Sequence, residues 1–274
     1  MRFTVLGASG FIGSHLVSHL MGLEGVECST PSKNDPVIFE EDLGNVIYSI
    51  GLTADFRERP FDTVRAHVCR LVDVLEKANF NSLLYLSSTR VYGRISDGCE
   101  ESILKVDPQS TNDLYNLSKL MGESLCLSSR HPDVRIARLS NVCGYDDSSQ
   151  NFLSTIIKDA VERKEIELRI GLLSEKDYIE IDDVVRILPQ IAASGQYNIY
   201  NVASGINVSN KQLIDRLQRL TACSVQVVGV APDIIFPKIN IERIQNEFDF
   251  RPSSVLDSLN DLVNRYRRET TSND

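Results

Sequence analysis

Tyr115 and Lys119 lie four positions apart in segment 112–128, whose apolar spacing predicts a helix. Residues at i and i+4 share one face of a helix, so the two side chains are within reach of each other. An ammonium beside a phenol favours the phenolate and lowers the tyrosine pKa, which gives a group able to exchange a proton near neutral pH. The same spacing also occurs in ordinary surface helices, so a prediction of catalysis depends on what the rest of the chain places around the pair.

A turn with three glycines follows the first predicted strand, Arg2–Leu6. Gly7, Gly10 and Gly13 stand between that strand and a predicted helix, where backbone N–H groups and the positive end of the helix can bind a pyrophosphate. The alternative is a turn that uses glycine for steric reasons alone, but the position and the flanking elements favour nucleotide binding. The predicted dinucleotide contacts in this turn are Gly7, Ser9, Gly10, Phe11, Ile12 and Gly13.

Strands alternate with helices along the first half of the chain. Apolar runs predict strands, and apolar residues at helical spacing predict the helices between them. The predicted strands are 2–6, 26–28, 45–50, 82–86 and 134–139, and the longer helices are 62–78 and 112–128. Nearly continuous apolar strands that alternate with helices indicate a parallel sheet covered on both faces. The predicted fold class is therefore α/β, with a doubly wound parallel sheet of the Rossmann type.

The pattern loosens after about residue 145. A helix at 151–163, a strand at 197–202 and a C-terminal helix at 256–267 are predicted there, without a repeat or a low-complexity linker. We expect a dinucleotide-binding domain over 1–145, joined by parts of 171–195, and a smaller C-terminal α/β substrate lobe over 146–274. The cleft between the two is the expected site of chemistry.

Composition argues against several classes of function. A net charge of −9 disfavours nonspecific binding to nucleic acid or to an anionic membrane. No apolar run approaches the roughly 18 residues that span a bilayer, and the stretch MRFTVLGASG lacks the basic-then-apolar layout of a signal peptide. The six cysteines are scattered without CxxC spacing, so we expect reduced thiols, a cytoplasmic protein and no metal site.

With the glycine turn and the tyrosine–lysine pair taken together, the chain resembles the extended short-chain dehydrogenase/reductase family. Within that family it resembles the branch of nucleotide-sugar epimerases and dehydratases, and the resemblance covers nearly the whole chain. The matching runs are Ser87–Gly93, Tyr115–Glu123, Arg138–Gly144, Asp177–Val184, Tyr197–Val202 and Phe248–Pro252. In the first run, the catalytic serine or threonine of the family falls on Ser88, judged by its distance from Tyr92.

The resemblance implies a mechanism in which a nicotinamide cofactor, NAD or NADP, takes or gives a hydride at a sugar carbon. It implies that Tyr115 exchanges the proton of the attached hydroxyl, and that Lys119 lowers the tyrosine pKa and holds the cofactor ribose. Ser88 would donate a hydrogen bond to the reacting oxygen. Further cofactor contacts are expected from Ser49 and Gly51, and substrate contacts from Thr89, Asn141, Arg169 and Lys176. The family pairs subunits through helices that match 62–78 and 112–128, so a homodimer is expected.

Several positions depart from the family pattern around the substrate. Thr89 and Arg90 stand where the dehydratases of the family carry an acidic pair, which disfavours dehydration. Lys176 replaces an arginine that clamps the diphosphate, and because lysine lacks the bidentate fork of arginine, Arg169 is a candidate replacement. His67 replaces an asparagine and lies among apolar residues, so we expect it to have a structural role.

The end of the second predicted strand departs as well. An acidic residue there normally binds the adenosine ribose of NAD, whereas this chain has Ser29, Thr30 and Lys33. Hydroxyls and a lysine suit a ribose 2′-phosphate, which leans toward NADP, although such residues also form ordinary turns and NAD stays open. Residues 42–43 are the expected contact with the edge of the adenine.

The leading interpretation is an NAD(P)-dependent epimerase or keto-sugar reductase that acts on a nucleotide-activated sugar through Ser88, Tyr115 and Lys119. One alternative is an oxidoreductase for a small non-nucleotide carbonyl, which the missing arginine favours. Another is a non-catalytic dinucleotide-binding sensor or scaffold, which the intact three residues disfavour. The expected partner is a small-molecule substrate, with neither nucleic acid nor membrane involved.

Overall fold

A computed structural model gives the fold of residues 1–53, 55–145, 151–229 and 232–272, with side chains described as far as residue 268. The strands are β1 (Arg2–Leu6), β2 (Glu27–Ser29), β3 (Asn45–Tyr48), β4 (Ser82–Ser88), β5 (Val134–Leu139), β6 (Asn141–Cys143), β7 (Glu165–Leu168), β8 (Glu175–Glu180), β9 (Ile199–Val202), β10 (Asn207–Ser209) and β11 (Ser224–Val227). The helices are α1 (Phe11–Met21), α2 (Val37–Glu40), α3 (Pro60–Val64), α4 (Arg70–Lys77), α5 (Leu114–Ser128), α6 (Phe152–Lys158), α7 (Ile181–Ser194), α8 (Asn210–Thr221), α9 (Glu242–Phe248) and α10 (Val255–Ser272).

The predicted helix at 62–78 consists of three pieces, because a π turn over Arg65–Cys69 joins α3 to α4. A second π turn, Asp159–Arg163, follows α6 and completes the helix predicted at 151–163. Two short 3₁₀ helices, Thr89–Tyr92 and Thr111–Asp113, stand after β4 and before α5. Such π turns interrupt the regular ladder of a helix and are common near functional sites.

Six parallel strands form the main sheet in the order β2-β1-β3-β4-β5-β9. The order reverses at β1 and β3, since the chain builds outward from β1 first to one side and then to the other. In such a doubly wound sheet, ligands bind in the crevice at the carboxyl ends of the strands beside this reversal. The predicted fold class is confirmed.

Alternate residues of the main sheet enter two different cores. On β4, Leu84 and Leu86 pack in the core that includes residues of α1 and α7. Leu83 and Tyr85 point to the opposite face, into the core that includes residues of α4. Because successive side chains of a strand alternate between its faces, a sheet covered on both sides needs apolar residues at every position. This explains the continuous apolar runs of the sequence.

The C-terminal part adds a third core between α6, α8 and α10. Two small sheets accompany it, one of β10, β8 and β6 and one of β11 and β7. The chain returns to the main sheet twice, because α7 packs against α1, β3 and β4, and β9 extends the sheet beside β5. The main sheet therefore receives residues 199–202 as well as the helix within 171–195. The division at residues 145 and 146 stays a prediction, since 146–150 lie outside the described residues.

Within the described ranges, no helix is both long enough and apolar enough to cross a membrane. The same ranges contain no group of three or more His, Cys, Asp or Glu residues that could hold a metal ion.

Candidate active site

The structure brings the side chains of Tyr115 and Ser88 together at the carboxyl end of β4. Ser88 is the last residue of that strand, and its hydroxyl caps the following 3₁₀ helix by accepting a hydrogen bond from the N–H of Arg90 at 3.2 Å. Tyr115 lies in the first turn of α5, is 4% exposed, and has the side chains of Ser88 and Thr53 as polar neighbours that lower its pKa. A phenol held between two hydroxyls in a dry pocket is placed to exchange a proton with a bound hydroxyl.

The electrostatic surroundings of Tyr115 combine burial with nearby polar and charged groups. Burial raises the pKa of Tyr115 above its ordinary value, and the side chains of Ser88 and Thr53 and the charge of Arg90 act in the opposite direction. The role of Lys119 in activating the tyrosine stays a prediction. The nearby permanent cation is Arg90, whose guanidinium carbon lies 5.2 Å from the centre of the Tyr115 ring.

Lys119 is a buried cation whose nearest partners are neutral. Its Nζ donates to the carbonyl oxygen of Leu86 at 2.8 Å and lies 5.1 Å from the ring centre of Tyr85. Burial lowers the pKa of Lys119 to about 7, against the opposing charge of Glu123. Across the described ranges, no carboxylate forms an ion pair with this ammonium, so a ligand that accepts a hydrogen bond from it would relieve a desolvation cost.

The glycine turn has the geometry of a phosphate cradle. Gly7 has φ of +97°, and a Cβ there would lie 2.8 Å from the backbone nitrogen of Ile50. At Gly13 a Cβ would lie 2.1 Å from the carbonyl oxygen of Gly7, so the helix can approach the turn only without a side chain. Gly10 is exposed, and a side chain there would extend into the open space where the first N–H groups of α1 lack helical partners. These features fit a bound pyrophosphate.

The segment that follows β3 joins the glycine turn to the tyrosine–lysine pair. The Ser49 hydroxyl donates to the carbonyl oxygen of Leu6 at 2.8 Å and packs directly beneath Gly7. Two residues later, a Cβ on Gly51 would lie 3.4 Å from the Nζ of Lys119. The glycine turn, residues 49–51 and Lys119 therefore lie next to one another at the carboxyl edge of the sheet. Ser49 supports the turn, because its hydroxyl already donates its hydrogen bond to the carbonyl oxygen of Leu6.

His67 lies in the π turn and has the structural contacts expected of it. It is fully buried, and its two ring nitrogens bind the hydroxyl of Ser118 at 2.8 Å and the N–H of Leu52 at 3.2 Å. Because Nε2 accepts the Leu52 N–H, the ring is neutral with its proton on Nδ1, and burial lowers the pKa of His67 to about 2. The ring edge also contacts Tyr115, with centres 5.4 Å apart. His67 thereby fixes the loop that carries Thr53.

Residues from four of the family-like runs converge in one buried polar network behind Ser88. Arg138 forms an ion pair with Glu123 at 2.7 Å and donates to the hydroxyl of Tyr92, also at 2.7 Å. Tyr92 in turn donates to the side chain of Asn201 at 2.8 Å, and Ser87 donates to Glu123. The network ties β4, β5, β9 and α5 together beneath the pocket. The shared runs thus include residues that position the site as well as residues that line it.

The predicted cofactor contacts at the end of β2 lie beside a cation that the sequence did not single out. Ser29 ends β2, and Thr30 and Lys33 are exposed in the turn that follows. Arg70, from the start of α4, donates to the carbonyl oxygen of Lys33 at 2.6 Å. The carboxylate of Glu27 lies 3.7 Å from the guanidinium of Arg2 on the neighbouring strand. It is therefore directed away from the turn that contains Thr30 and Lys33.

Residues 42–43 do not contact the adenine pocket, and this expectation is wrong. The N–H of Leu43 donates to the carbonyl oxygen of Asn79 at 2.9 Å, and the Asp42 carboxylate accepts the N–H of Gly44 at 3.0 Å. Both residues precede β3, so they lie at the amino edge of the parallel sheet. The glycine turn lies at the carboxyl edge, on the opposite side of the molecule.

A cavity of about 560 Å³ also lies at a strand start rather than a strand end. Gln196 and Tyr197, which precede β9, line it together with Glu242 and Arg243 of α9. Because β9 is parallel to β4, this cavity and Ser88 lie at opposite edges of the sheet.

The predicted substrate contacts occupy different environments. Lys176 is half-buried on β8 with its Nζ 5.7 Å from the ring centre of Phe152, and its pKa is lowered by burial first and by the charge of Arg90 second. Thr89 is buried, and the amide of Asn141 donates to the carbonyl oxygen of Asp177 at 2.8 Å. Arg169 is exposed and paired with Glu167 at 2.8 Å, and no contact in the described ranges joins it to the tyrosine pocket.

Two residues of the pocket were missed because nothing in their sequence context marks them. Thr53 and Phe56 follow β3 in a loop without periodicity. Phe56 is buried against Tyr115 with ring centres 5.5 Å apart, and the side chain of Thr53 lowers the pKa of the phenol.

Together, the doubly wound sheet, the glycine cradle and the hydroxyl–phenol–lysine crevice define a dinucleotide-dependent enzyme of the Rossmann class. Residues 46–203 match the model of the NAD dependent epimerase/dehydratase family, and the chain belongs to that family. The GDP-6-deoxy-D-mannose reductase of Pseudomonas aeruginosa is 26% identical over 83% of this chain and 82% of its own length.

Solved structures share the fold over nearly the whole chain. The structure of RMD from Pseudomonas aeruginosa complexed with NADPH has a TM-score of 0.83 and 21% identity, covering 98% of this chain and 99% of that one. The structure of DesIV, a dTDP-glucose 4,6-dehydratase from Streptomyces venezuelae with NAD bound, has a TM-score of 0.81 and 20% identity, covering 99% and 98%.

Proposed function

We propose that this protein is an NAD(P)-dependent epimerase or keto-sugar reductase that acts on a nucleotide-activated sugar through Ser88, Tyr115 and Lys119. The observation that carries the proposal is the placement of Tyr115 beside Ser88 at the end of β4, with Lys119 one turn further along the same helix. Lys119 lies beside Gly51, and Ser49 lies against Gly7 of the glycine cradle. Proton exchange and dinucleotide binding would thus occur side by side.

When bound, the nicotinamide supplies the hydride donor or acceptor, and the residues of the chain handle the proton. The phenol oxygen of Tyr115 gives its proton to the developing alkoxide, or takes the proton of the sugar hydroxyl in the reverse direction. Ser88 holds the reacting oxygen by a hydrogen bond that strengthens as charge develops. With a pKa of about 7, Lys119 can release or accept a proton near neutral pH. The acidic pair used for dehydration is absent, since Thr89 and Arg90 occupy its positions.

The cofactor would lie along the carboxyl edge of β1, β2 and β3. Its proposed contacts are Gly7, Ser9, Gly10, Phe11, Ile12, Gly13, Ser29, Thr30, Lys33, Ser49, Gly51, Tyr115 and Lys119. Lys33, with Arg70 close behind it, provides positive charge where a ribose 2′-phosphate would bind, and Glu27 is directed toward Arg2. This charge balance favours NADP(H) over NAD(H). The similar RMD structure contains NADPH, and the similar DesIV structure contains NAD.

The proposed substrate is a nucleotide sugar, in keeping with the GDP-sugar reductase and the dTDP-sugar dehydratase that the chain resembles. Thr89, Asn141, Arg169 and Lys176 are its proposed contacts, and Lys176 is the half-buried cation among the four. We also propose a homodimer through α3, α4 and α5. Met121 and Leu127 on α5 are about half exposed, so pairing would cover apolar surface. Light scattering that shows a monomer at micromolar concentration would contradict the dimer.

Native mass spectrometry of the protein as purified tests the function and separates its two forms. An epimerase regenerates its cofactor in each turnover and should retain a dinucleotide, whereas a reductase must exchange it and should lose most of it on purification. Addition of NADP(H) or NAD(H) should then give a one-to-one complex with each subunit. Failure to bind any dinucleotide under these conditions would rule out both forms.

A further inference from the structure

Arg90 is a permanent cation placed directly beside the proposed proton donor. It follows Ser88 and Thr89 at the end of β4 and lies in the 3₁₀ helix that Ser88 caps. Its guanidinium carbon is 5.2 Å from the ring centre of Tyr115 and 4.8 Å from that of Phe56. Both contacts place the cation against aromatic rings, where a guanidinium stacks favourably.

The hydrogen-bonding capacity of Arg90 is mostly unused. In the ranges that the structure describes, its side chain donates one hydrogen bond, from Nη2 to the carbonyl oxygen of Asn112 at 3.2 Å, and it forms no ion pair. Two nearby arginines behave differently, because Arg94 is paired with Asp113 at 2.6 Å and Arg138 with Glu123 at 2.7 Å. A guanidinium has five N–H donors, so Arg90 keeps several of them for a ligand.

The carboxylate near Arg90 is Asp113, which is already paired with Arg94. Burial lowers the pKa of Arg90 and the charge of Arg57 adds to this, while Tyr115 and Asp113 act in the opposite direction. Arg57 contacts the same Phe56 ring at 4.6 Å, and Lys176 is close enough for the charge of Arg90 to lower its pKa. Two cations thus share the Phe56 ring at the edge of the tyrosine pocket, and the charge of Arg90 also acts on Lys176. A bound anion would relieve both their mutual repulsion and the desolvation of Arg90.

We propose that Arg90 binds a carboxylate carried by the sugar ring of the substrate, next to the carbon whose hydroxyl Tyr115 protonates. The inference rests on the proposed function and narrows its substrate class to nucleotide-activated sugar acids. A planar guanidinium matches a carboxylate through two parallel N–H···O hydrogen bonds. The other anion of such a substrate is its diphosphate, and Lys176 is the separate cation available to it. Aromatic contacts fix Arg90 at the phenol, where the ring of the sugar must lie for proton exchange.

Isothermal titration calorimetry of the holoprotein, saturated with dinucleotide, tests this inference. The probes are two matched pairs, UDP-glucuronate with UDP-glucose and GDP-mannuronate with GDP-mannose, whose members differ by a carboxylate in place of a hydroxymethyl group. In at least one pair we expect the acid to bind about tenfold or more tightly than the neutral sugar, as is typical of a hydrogen bond to a charged group. Arg90→Gln should abolish this ratio and leave the affinity for the neutral sugar within about twofold.

The matched control is Arg57→Gln, which removes one positive charge from the other contact of the Phe56 ring. It should weaken both members of a pair and leave most of the ratio, because a general loss of positive potential acts on the shared diphosphate as well as on the one extra charge of the acid. Arg90→Lys keeps the charge without the bidentate fork and should retain part of the ratio, so it replaces the glutamine variant if that variant does not fold.

Each remaining outcome overturns a distinct statement. Equal affinity of the wild type for acid and neutral sugar would refute the carboxylate site and leave the nucleotide-sugar function intact. Equal weakening of both members by Arg90→Gln would mean that the guanidinium contacts the diphosphate. Absence of binding by all four probes would contradict the nucleotide-sugar function itself, and with it the inference.

Discussion

Replacement of Lys119 by methionine should stabilise the cofactor-free protein while it removes function. The side chain is 5% exposed, and burial lowers its pKa from 10.5 to about 7. At about 1.4 kcal/mol per pH unit, this fall corresponds to an upper limit of about 5 kcal/mol of lost folding free energy. The hydrogen bond from Lys119 to the carbonyl oxygen of Leu86 offsets roughly 1.5–3 kcal/mol of this free-energy cost. We therefore expect Lys119→Met to raise the free energy of unfolding by about 2–3 kcal/mol at pH 6.

The gain in the free energy of unfolding of Lys119→Met over the wild type should become smaller as the pH rises. Between pH 7 and 10.5 the unfolded chain keeps the lysine proton while the folded chain has lost it, so wild-type stability rises with pH in that window. The free-energy cost of burying the charged Lys119 is fully present below about pH 7 and is absent above pH 10.5. The methionine variant lacks this dependence, so its advantage should shrink by about 2–3 kcal/mol between pH 7 and pH 9.

Urea unfolding followed by circular dichroism at pH 6, 7, 8 and 9 measures the effect, and a spectroscopic probe other than tryptophan is needed because the chain has none. Lys77→Met is the matched control, since Lys77 is an exposed lysine paired with Asp73, and it should give no comparable pH dependence. Equal stability of the Lys119 variant and the wild type at pH 6, or an advantage that stays constant up to pH 9, would refute the description of Lys119 as a desolvated cation. The same variant should lose both turnover and cofactor affinity, and the loss of only one would leave the lysine with a single role.

Three further substitutions test other parts of the structure. Gly13→Ala should strongly weaken dinucleotide binding in calorimetry, because its Cβ would lie 2.1 Å from a carbonyl oxygen of the preceding turn; undiminished affinity would contradict the cradle. Lys33→Ala should weaken NADP(H) about tenfold or more and leave NAD(H) unchanged. A clear preference for NAD(H) that the variant does not alter would favour an epimerase with tightly held NAD. Glu123→Gln should lower the free energy of unfolding by about 3–5 kcal/mol, since it leaves Arg138 as a buried cation without its counterion; a change below about 1 kcal/mol would contradict the network.

The sequence was a good guide where a residue acts through local backbone geometry or an ordered pattern. The glycine turn is such a case, because the need for glycine follows from the strand–turn–helix connection itself. The continuous apolar runs predicted a sheet covered on both faces, and Leu83 and Leu84 indeed enter different cores. Strand boundaries were less accurate. The third strand was predicted over 45–50, but β3 ends at Tyr48, because apolar sequence continues beyond the last residue paired in the sheet.

The sequence was a poorer guide where the outcome depends on which groups tertiary packing brings together. The spacing of Tyr115 and Lys119 indicated that the two share a helix face, but not that Lys119 would donate to the carbonyl of Leu86 or that Arg90 would lie beside the Tyr115 ring. No local pattern foretells that contact, because Arg90 and Tyr115 come from different elements. Thr53 likewise belongs to a loop whose path depends on a hydrogen bond from Leu52 to a buried histidine.

One wrong expectation could have been avoided from the sequence alone. Residues 42–43 precede the third predicted strand, and residues before a strand of a parallel sheet lie at its amino edge. Dinucleotides bind at the carboxyl edge. Strand direction therefore already excluded the proposed adenine contact.

The most direct test of the central claim is single-turnover hydride transfer in Tyr115→Phe. The holoprotein is mixed with a nucleotide sugar that it binds, and the near-ultraviolet absorbance of the reduced nicotinamide reports transfer in either direction. Tyr197→Phe, at the opposite edge of the sheet, is the matched control and should behave as the wild type. We predict that Tyr115→Phe abolishes the transfer and leaves cofactor affinity within a few fold, because the phenol proton acts in the transition state. Transfer at nearly the wild-type rate would remove Tyr115 from the mechanism and contradict the account.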